Sequence, residues 1–298
     1  MSFQPPDLSG RVAIVTGSSR GIGKALALGL ARAGADVCVA AKSLEPRETL
    51  PGSILQTRDE ILALGRRSIA VRTNVRRAED IEEMVRRTVE ELGRVDILVH
   101  NAGALWWRPL VETPIQRFDL VTEVNLRAGF HATHCVLPYM IEQGGGHVVL
   151  IAPPIDLELL PGKIGYLVGK FGLTMLALGL HGEEGHRGIR SNALWPATMV
   201  ESQATINHQM GTPEQWRKPE IVADALLAVL AHPEWSGRAL TDEEALREAG
   251  VTDFEPYNCV PGGKPLYIVG EAARSLVWKE RAGQVRASQG SEPGAGGR

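Results

Sequence analysis

The sequence predicts an α/β fold, a doubly wound parallel sheet of about seven strands with helices on both faces. Two observations carry that expectation. Short apolar runs alternate with helical patterns almost from the first residue, and each parallel strand needs such a crossover before the next. A glycine-rich stretch, Thr16-Gly-Ser-Ser-Arg-Gly-Ile-Gly23, joins the first apolar run to the first helical one, which is where open α/β sheets hold an anion at a helix N-terminus.

The elements follow in order. Residues 12–16 read as the first strand and 21–33 as its helix. The second strand, 37–41, leads into a polar, proline-containing segment at 43–53 and a helix at 54–64. A third strand at 68–72 precedes a charged helix with one apolar face at 79–92, and a fourth strand covers 97–100. One long helix is expected over 113–142. It ends at Gly144–Gly146, and a fifth strand follows at 147–151. A helix at 165–181, a strand at 189–194, a helix at 221–231 and a seventh strand at 238–241 complete the pattern. Nothing divides these elements, so residues 1–286 are read as one domain. Residues 287–298, Ser/Gly/Pro-rich and lacking apolar side chains of any size, are read as a disordered tail.

Composition narrows the function classes. With 44% apolar and 22% charged residues among 298, the chain can bury a core without metals or disulfides. A net charge of -3 argues against nucleic acid or an anionic membrane as the main partner. Cys38, Cys135 and Cys259 form no Cys-x-x-Cys pair, so free thiols are expected and no metal site. The first residues, Met-Ser-Phe-Gln-Pro-Pro, have neither a basic nor an apolar region, so no secretory signal is expected. No membrane-spanning stretch is expected either. The expected location is cytoplasmic or another reducing intracellular compartment.

The glycine turn predicts a dinucleotide site of the Rossmann type: Gly17, Ser19, Arg20, Gly21, Ile22 and Gly23 would meet the pyrophosphate. At the end of the second strand an acidic residue would suit a free ribose 2′-hydroxyl. Here Lys42 follows Ala40-Ala41 instead, and with Arg20 it suits the 2′-phosphate of NADP (NADPH); NAD fits less well.

Three further motifs fall in order behind that turn: Asn101-Ala102-Gly103 after the fourth strand, Asn125 in the next helix, and Tyr166-Leu-Val-Gly-Lys170 after the fifth strand. Together they resemble the short-chain dehydrogenase/reductase family over residues 8–245. The resemblance implies a carbonyl/secondary-alcohol oxidoreductase using hydride from a nicotinamide. It makes Tyr166 the proton donor, Lys170 its electrostatic partner and a ligand of the nicotinamide ribose, and the Asn125 backbone the holder of a relay water. It also implies that Asn74-Val75 meets the adenine, Asn101-Ala102-Gly103 lines the cofactor, and Pro196 and Thr198 meet the nicotinamide carboxamide. Tyr166 and Lys170, four apart, share one helix face; His100 stands where the family has Asn and is assigned packing or hydrogen bonding only.

One departure concerns rate. The family's serine after the fifth strand aligns with Ala152, and no Ser or Thr occurs from Gly146 to Gly165. Removing one donor to a developing oxyanion costs on the order of 10²–10³ in turnover. Two readings follow: an NADP-dependent oxidoreductase that is slow, or a catalytically impaired NADP-binding protein with a structural or regulatory role. Trp106, Trp107 and Trp195 border the cleft in the family and suit an apolar carbonyl or alcohol substrate, although buried aromatics are also ordinary core. Residues 199–214 are expected to form a lid. His181 and His186 are expected to face solvent. A homo-oligomer, dimer or tetramer, is expected through the helices at 113–142 and 165–181.

Overall fold

The computed structural model describes residues 4–46, 51–270 and 273; the tail expected at 287–298 lies outside them. All seven strands pair in parallel in the order β3-β2-β1-β4-β5-β6-β7. They are β1 (Val12–Thr16), β2 (Asp36–Ala41), β3 (Ser68–Arg72), β4 (Ile97–His100), β5 (Gly146–Ile151), β6 (Ile189–Trp195) and β7 (Arg238–Thr241). The order reverses between β1 and β4. Their carboxyl ends therefore diverge, and the crevice they leave is where ligands of such sheets bind.

Strand side chains alternate between two cores, which is what covers the sheet on both faces. Ala13, Val15, Val37, Val39 and Val99 pack with α1 (Gly21–Arg32), α2 (Ile54–Ala63) and α8 (Glu220–Ala231). Val12, Ile14, Cys38, Leu98 and Val148 pack with α3 (Ala78–Leu92), α5 (Ala128–Glu142) and α6 (Ile164–Glu184). Cys38 is buried and desolvation pushes its thiol up to about 12, whereas Cys135 and Cys259 are half-buried.

Ser53 caps α2, its hydroxyl accepting from Gln56 N–H at 3.2 Å. The long helix expected at 113–142 is interrupted. A 3-10 turn at Leu110–Glu112 precedes α4 (Ile115–Thr122), and a π-helical segment, Glu123–Arg127, joins α4 to α5. Two short helices escaped the sequence reading: α7 (Gln203–Asn207) within the segment expected as a lid, and α9 (Asp242–Glu248). A reciprocal capping box between Thr241 and Glu244 starts α9, and Thr-Asp-Glu-Glu was a legible signal for it. Past α9 the chain returns: Met199 N–H donates to Leu266 O and Ile268 N–H to Ala197 O, so residues 266–268 brace the stretch after β6.

By length and composition, residues Ile164–Arg187 could cross a membrane. This helix is apolar because it fills the core beneath β5 and β6, with Leu173, Ala177 and Leu180 buried.

Candidate active site

The crevice is a cleft of about 580 Å³ at the carboxyl ends of β1 to β6. Its phosphate end is the glycine turn. Gly17 and Gly21 have φ of +71° and +52°, a region that L side chains rarely occupy. A Cβ on Gly17 would lie 2.9 Å from both Ala102 Cα and Asn101 Nδ2, and one on Gly23 would overlap Gly17 O and Asn101 Nδ2. The reason for that crowding is Asn101, whose amide donates to Thr16 O (3.1 Å) and Gly17 O (3.2 Å) and so staples the β4 turn onto the β1 turn. Ser18, fully buried, accepts Ala40 N–H at 2.9 Å and ties the same turn to β2. Arg20 at the start of α1 makes no side-chain cap, which leaves first-turn N–H groups for an anion.

Gly17, Ser19, Arg20, Gly21, Ile22, Gly23, Lys42, Asn74, Val75, Asn101, Ala102, Gly103, Tyr166, Lys170 and Pro196 all line the cleft. Lys42 is exposed at its rim. Arg20 reaches across to the loop after β2, donating to Ser43 Oγ at 3.1 Å, to Gly52 O at 3.0 Å and to Pro51 O at 2.8 Å. Asn74 is fixed by Asp80, whose carboxylate accepts Asn74 N–H at 2.8 Å. Thr198 is buried and its hydroxyl has no partner among the described residues; it does not line the cleft, and Trp195 and Pro196 do.

At the other end stand Tyr166 and Lys170, both buried on α6. Lys170 Nζ donates to Ile151 O at 2.7 Å and lies 5.1 Å from the centre of the Trp195 ring. Burial pulls its ammonium down to about 7. Burial also pushes the Tyr166 phenol up, so it keeps its proton at neutral pH. Asn125 sits in the π-helical segment. Its side chain clamps Ala104 twice, accepting Ala104 N–H (2.8 Å) and donating to Ala104 O (3.1 Å). Its main-chain carbonyl, expected to hold a relay water, already accepts from Ala128 N–H and stands 3.2 Å from His100 Nε2.

The position opposite Tyr166 also differs from the alignment. Ala152 packs into the apolar core with Leu173 and Ala177 and does not line the cleft. Pro153, one residue on, lines a small cavity with Tyr166, Trp107 and Trp195. Successive residues of an extended chain face opposite ways, so the side chain beside Tyr166 belongs to 153. The lack of a hydroxyl stands at either position. Trp107 stacks edge-on to Tyr166 with centroids 6.1 Å apart, and its buried Nε1–H has no acceptor among the described residues.

Several functional neighbours were missed. Asp242 accepts Ala197 N–H at 2.8 Å and fixes the turn after β6; burial raises its carboxyl to about 7. Arg217 and Glu243 form a buried ion pair at 2.7 Å behind the same turn. From the expected lid, Ser202, Gln203, Ala204 and His208 reach the cleft. His181 and His186 are exposed, His181 beside Ser236 Oγ at 2.9 Å.

These features agree with the comparisons. The short chain dehydrogenase family model matches residues 11–211, and the chain belongs to that family of oxidoreductases. Members of that family use nicotinamide dinucleotides and act on small molecules. Hydroxysteroid dehydrogenase-like protein 2 from Xenopus tropicalis is 37% identical over 276 residues, 91% of this chain and 66% of that protein. The Homo sapiens protein of the same name is 35% identical over 261 residues, 86% of this chain and 62% of its own length. The chain thus spans a little under two thirds of these relatives. Among solved structures, a putative dehydrogenase from Xanthomonas campestris superposes with a TM-score of 0.85 at 37% identity, covering 89% of this chain and 99% of that one. Carveol dehydrogenase from Mycobacterium avium in complex with NAD gives 0.71 at 26% identity, with 79% and 97% covered. A metagenomic short-chain oxidoreductase in complex with NADP gives 0.66 at 26%, again with 79% and 97% covered.

Proposed function

We propose that the chain is an NADP-dependent reductase of apolar carbonyl compounds, slow for its family. The observation that carries this reading is one cleft with a glycine-turn anion cradle at one end and Tyr166 with Lys170 at the other. The cradle and the uncapped start of α1 fit a dinucleotide. When bound, the nicotinamide supplies hydride. The protein's part is to hold and deliver the proton. Tyr166, kept protonated by burial, donates from Oη to the substrate oxygen, and Lys170 beside it compensates the charge left behind. Leu105, Leu120, Val124 and Trp195 line that end and exclude water from an apolar substrate.

Lys42 at the rim, with Arg20 and Ser43 beside it and no carboxylate among the described lining residues, favours a 2′-phosphate. NADPH is expected to bind at least roughly tenfold tighter than NADH, about 1.4 kcal/mol. Lys42→Asp should close that gap. A fluorescence titration giving equal wild-type affinities removes the NADP assignment.

One observation favours a second reading, a cofactor-binding protein with little turnover: neither Ala152, packed in the core, nor Pro153, at a small cavity beside Tyr166, brings a hydroxyl to the cleft. Whether NADPH is consumed with a panel of ketones, aldehydes and quinones separates the two.

We also propose self-association through α5 and α6. Phe130 is 59% exposed, and Val168 and Met175, one face of α6, are 46% and 63% exposed. Apolar side chains gathered on adjoining helices mark an interface. Met175→Arg is expected to convert a dimer or tetramer to monomer in sedimentation; a wild type that sediments as monomer ends the idea.

A further inference from the structure

The end of β4 carries a buried imidazole whose hydrogen bonds run to two parts of the cleft. Thr16 and His100 are register partners on β1 and β4. The Thr16 hydroxyl accepts the N–H groups of Asn101 and Ala102, each at 3.1 Å, and lies 3.1 Å from His100 Nδ1. On its other side, His100 Nε2 is 3.2 Å from the Asn125 carbonyl. A carbonyl can only accept, so Nε2 carries the hydrogen and Nδ1 is bare. The Thr16 hydroxyl, having accepted twice, has one hydrogen left, and Nδ1 takes it. The ring is thus held between the Thr16 hydroxyl and the main chain at Val124 and Asn125.

The ring is neutral. It is fully buried, and desolvation, with the ammonium of Lys170 nearby, brings it down to about 4. Gly129 on α5 leaves the room it occupies, since a Cβ there would lie 2.9 Å from His100 Cδ2. Asn125, held through its main chain by this ring, uses its side chain to clamp Ala104. Its Oδ1 is within 3.4 Å, and Lys170 Nζ within 3.7 Å, of where a Cβ on Gly103 would lie.

We propose that His100, as the neutral Nε2–H tautomer, is a positioning residue that locks the Asn125 segment to the Asn101-Ala102-Gly103 turn and so sets the reacting end of the cleft. It acts through Asn125 and never touches substrate. Its kinetic consequence rests on the reductase reading above, but the tautomer and the clamp do not, so the two can fail separately.

Two variants divide the ring's functions. A glutamine amide reaches the place of Nε2 and can donate to the Asn125 carbonyl; leucine fills the space and donates nothing. Amide hydrogen exchange at Ala104 in the cofactor-free protein should rise at least about tenfold in His100→Leu, the worth of roughly one hydrogen bond, and return to within about threefold in His100→Gln. With NADPH and an o-quinone, kcat should follow the same order while KM for NADPH holds within about twofold. A 15N-histidine spectrum of the wild type at neutral pH should show the Nε2–H form and needs no variant to fold. An Nδ1–H or cationic ring, Ala104 exchange unmoved in His100→Leu, or equal losses in both variants each overturn the proposal. If exchange follows the predicted order and no quinone is reduced by any form, the clamp stands and the reductase reading fails.

Discussion

Tyr166→Phe is expected to lower kcat on a reactive quinone by about 10²–10⁴ while leaving NADPH affinity within about twofold, the usual worth of a positioned general acid. The variant is clean for a structural reason. Among the described residues the Tyr166 hydroxyl has no hydrogen-bond partner, so its removal orphans nothing, and the ring keeps its edge-on packing against Trp107. Burial keeps the phenol protonated, so no other protonation state of this residue competes at neutral pH. Single-turnover kinetics with NADPH in excess, read beside a fluorescence titration, separates lost chemistry from lost binding. Turnover within threefold of wild type would remove Tyr166 from the proton step.

Pro153→Ser is expected to raise turnover at least about tenfold, a cautious part of the 10²–10³ that one oxyanion donor commonly supplies. Ala152→Ser is the informative control. Its methyl lies among Leu173, Ala177 and Leu150, so a hydroxyl there would be buried without reaching the cleft. It should cost stability, on the order of 1–3 kcal/mol for an unsatisfied buried group, and add no rate. If Ala152→Ser accelerates the reaction and Pro153→Ser does not, the face assigned to each residue here is wrong. If neither does, the missing hydroxyl does not limit the rate.

How much of this was legible depended on what each feature asks of the chain. The glycine turn was readable because its constraints fall on the backbone: Gly17 and Gly21 need positive φ, and Gly23 has no room for a Cβ. Tyr166 and Lys170 were readable because a four-residue interval on a helix is itself a geometric statement. The strand boundaries followed from apolar runs shared between two cores. The features that were missed have no local signature. An extra residue within α4–α5 changes no side chain, so the π segment around Asn125 could not be seen. Asp242 serves Ala197 from 45 positions away through a main-chain N–H. His100 looked like a conservative polar replacement, and its importance lies in contacts with β1 and α5 that only the assembled sheet creates.

The π segment Glu123–Arg127 has a consequence for phase. An α-helix advances about 100° per residue, so one surplus residue leaves α5 turned by that angle relative to the direction α4 would have dictated. Asn125 sits at the seam. α4 and α5 can thus each satisfy their own packing, α4 against α6 and α5 against α3, without a compromise in rotation between them. A single-residue deletion there would restore a regular helix and force one of the two halves off its partner. The segment is therefore a point where length matters more than chemistry: substitutions on its surface are tolerable, and a change in residue count is not.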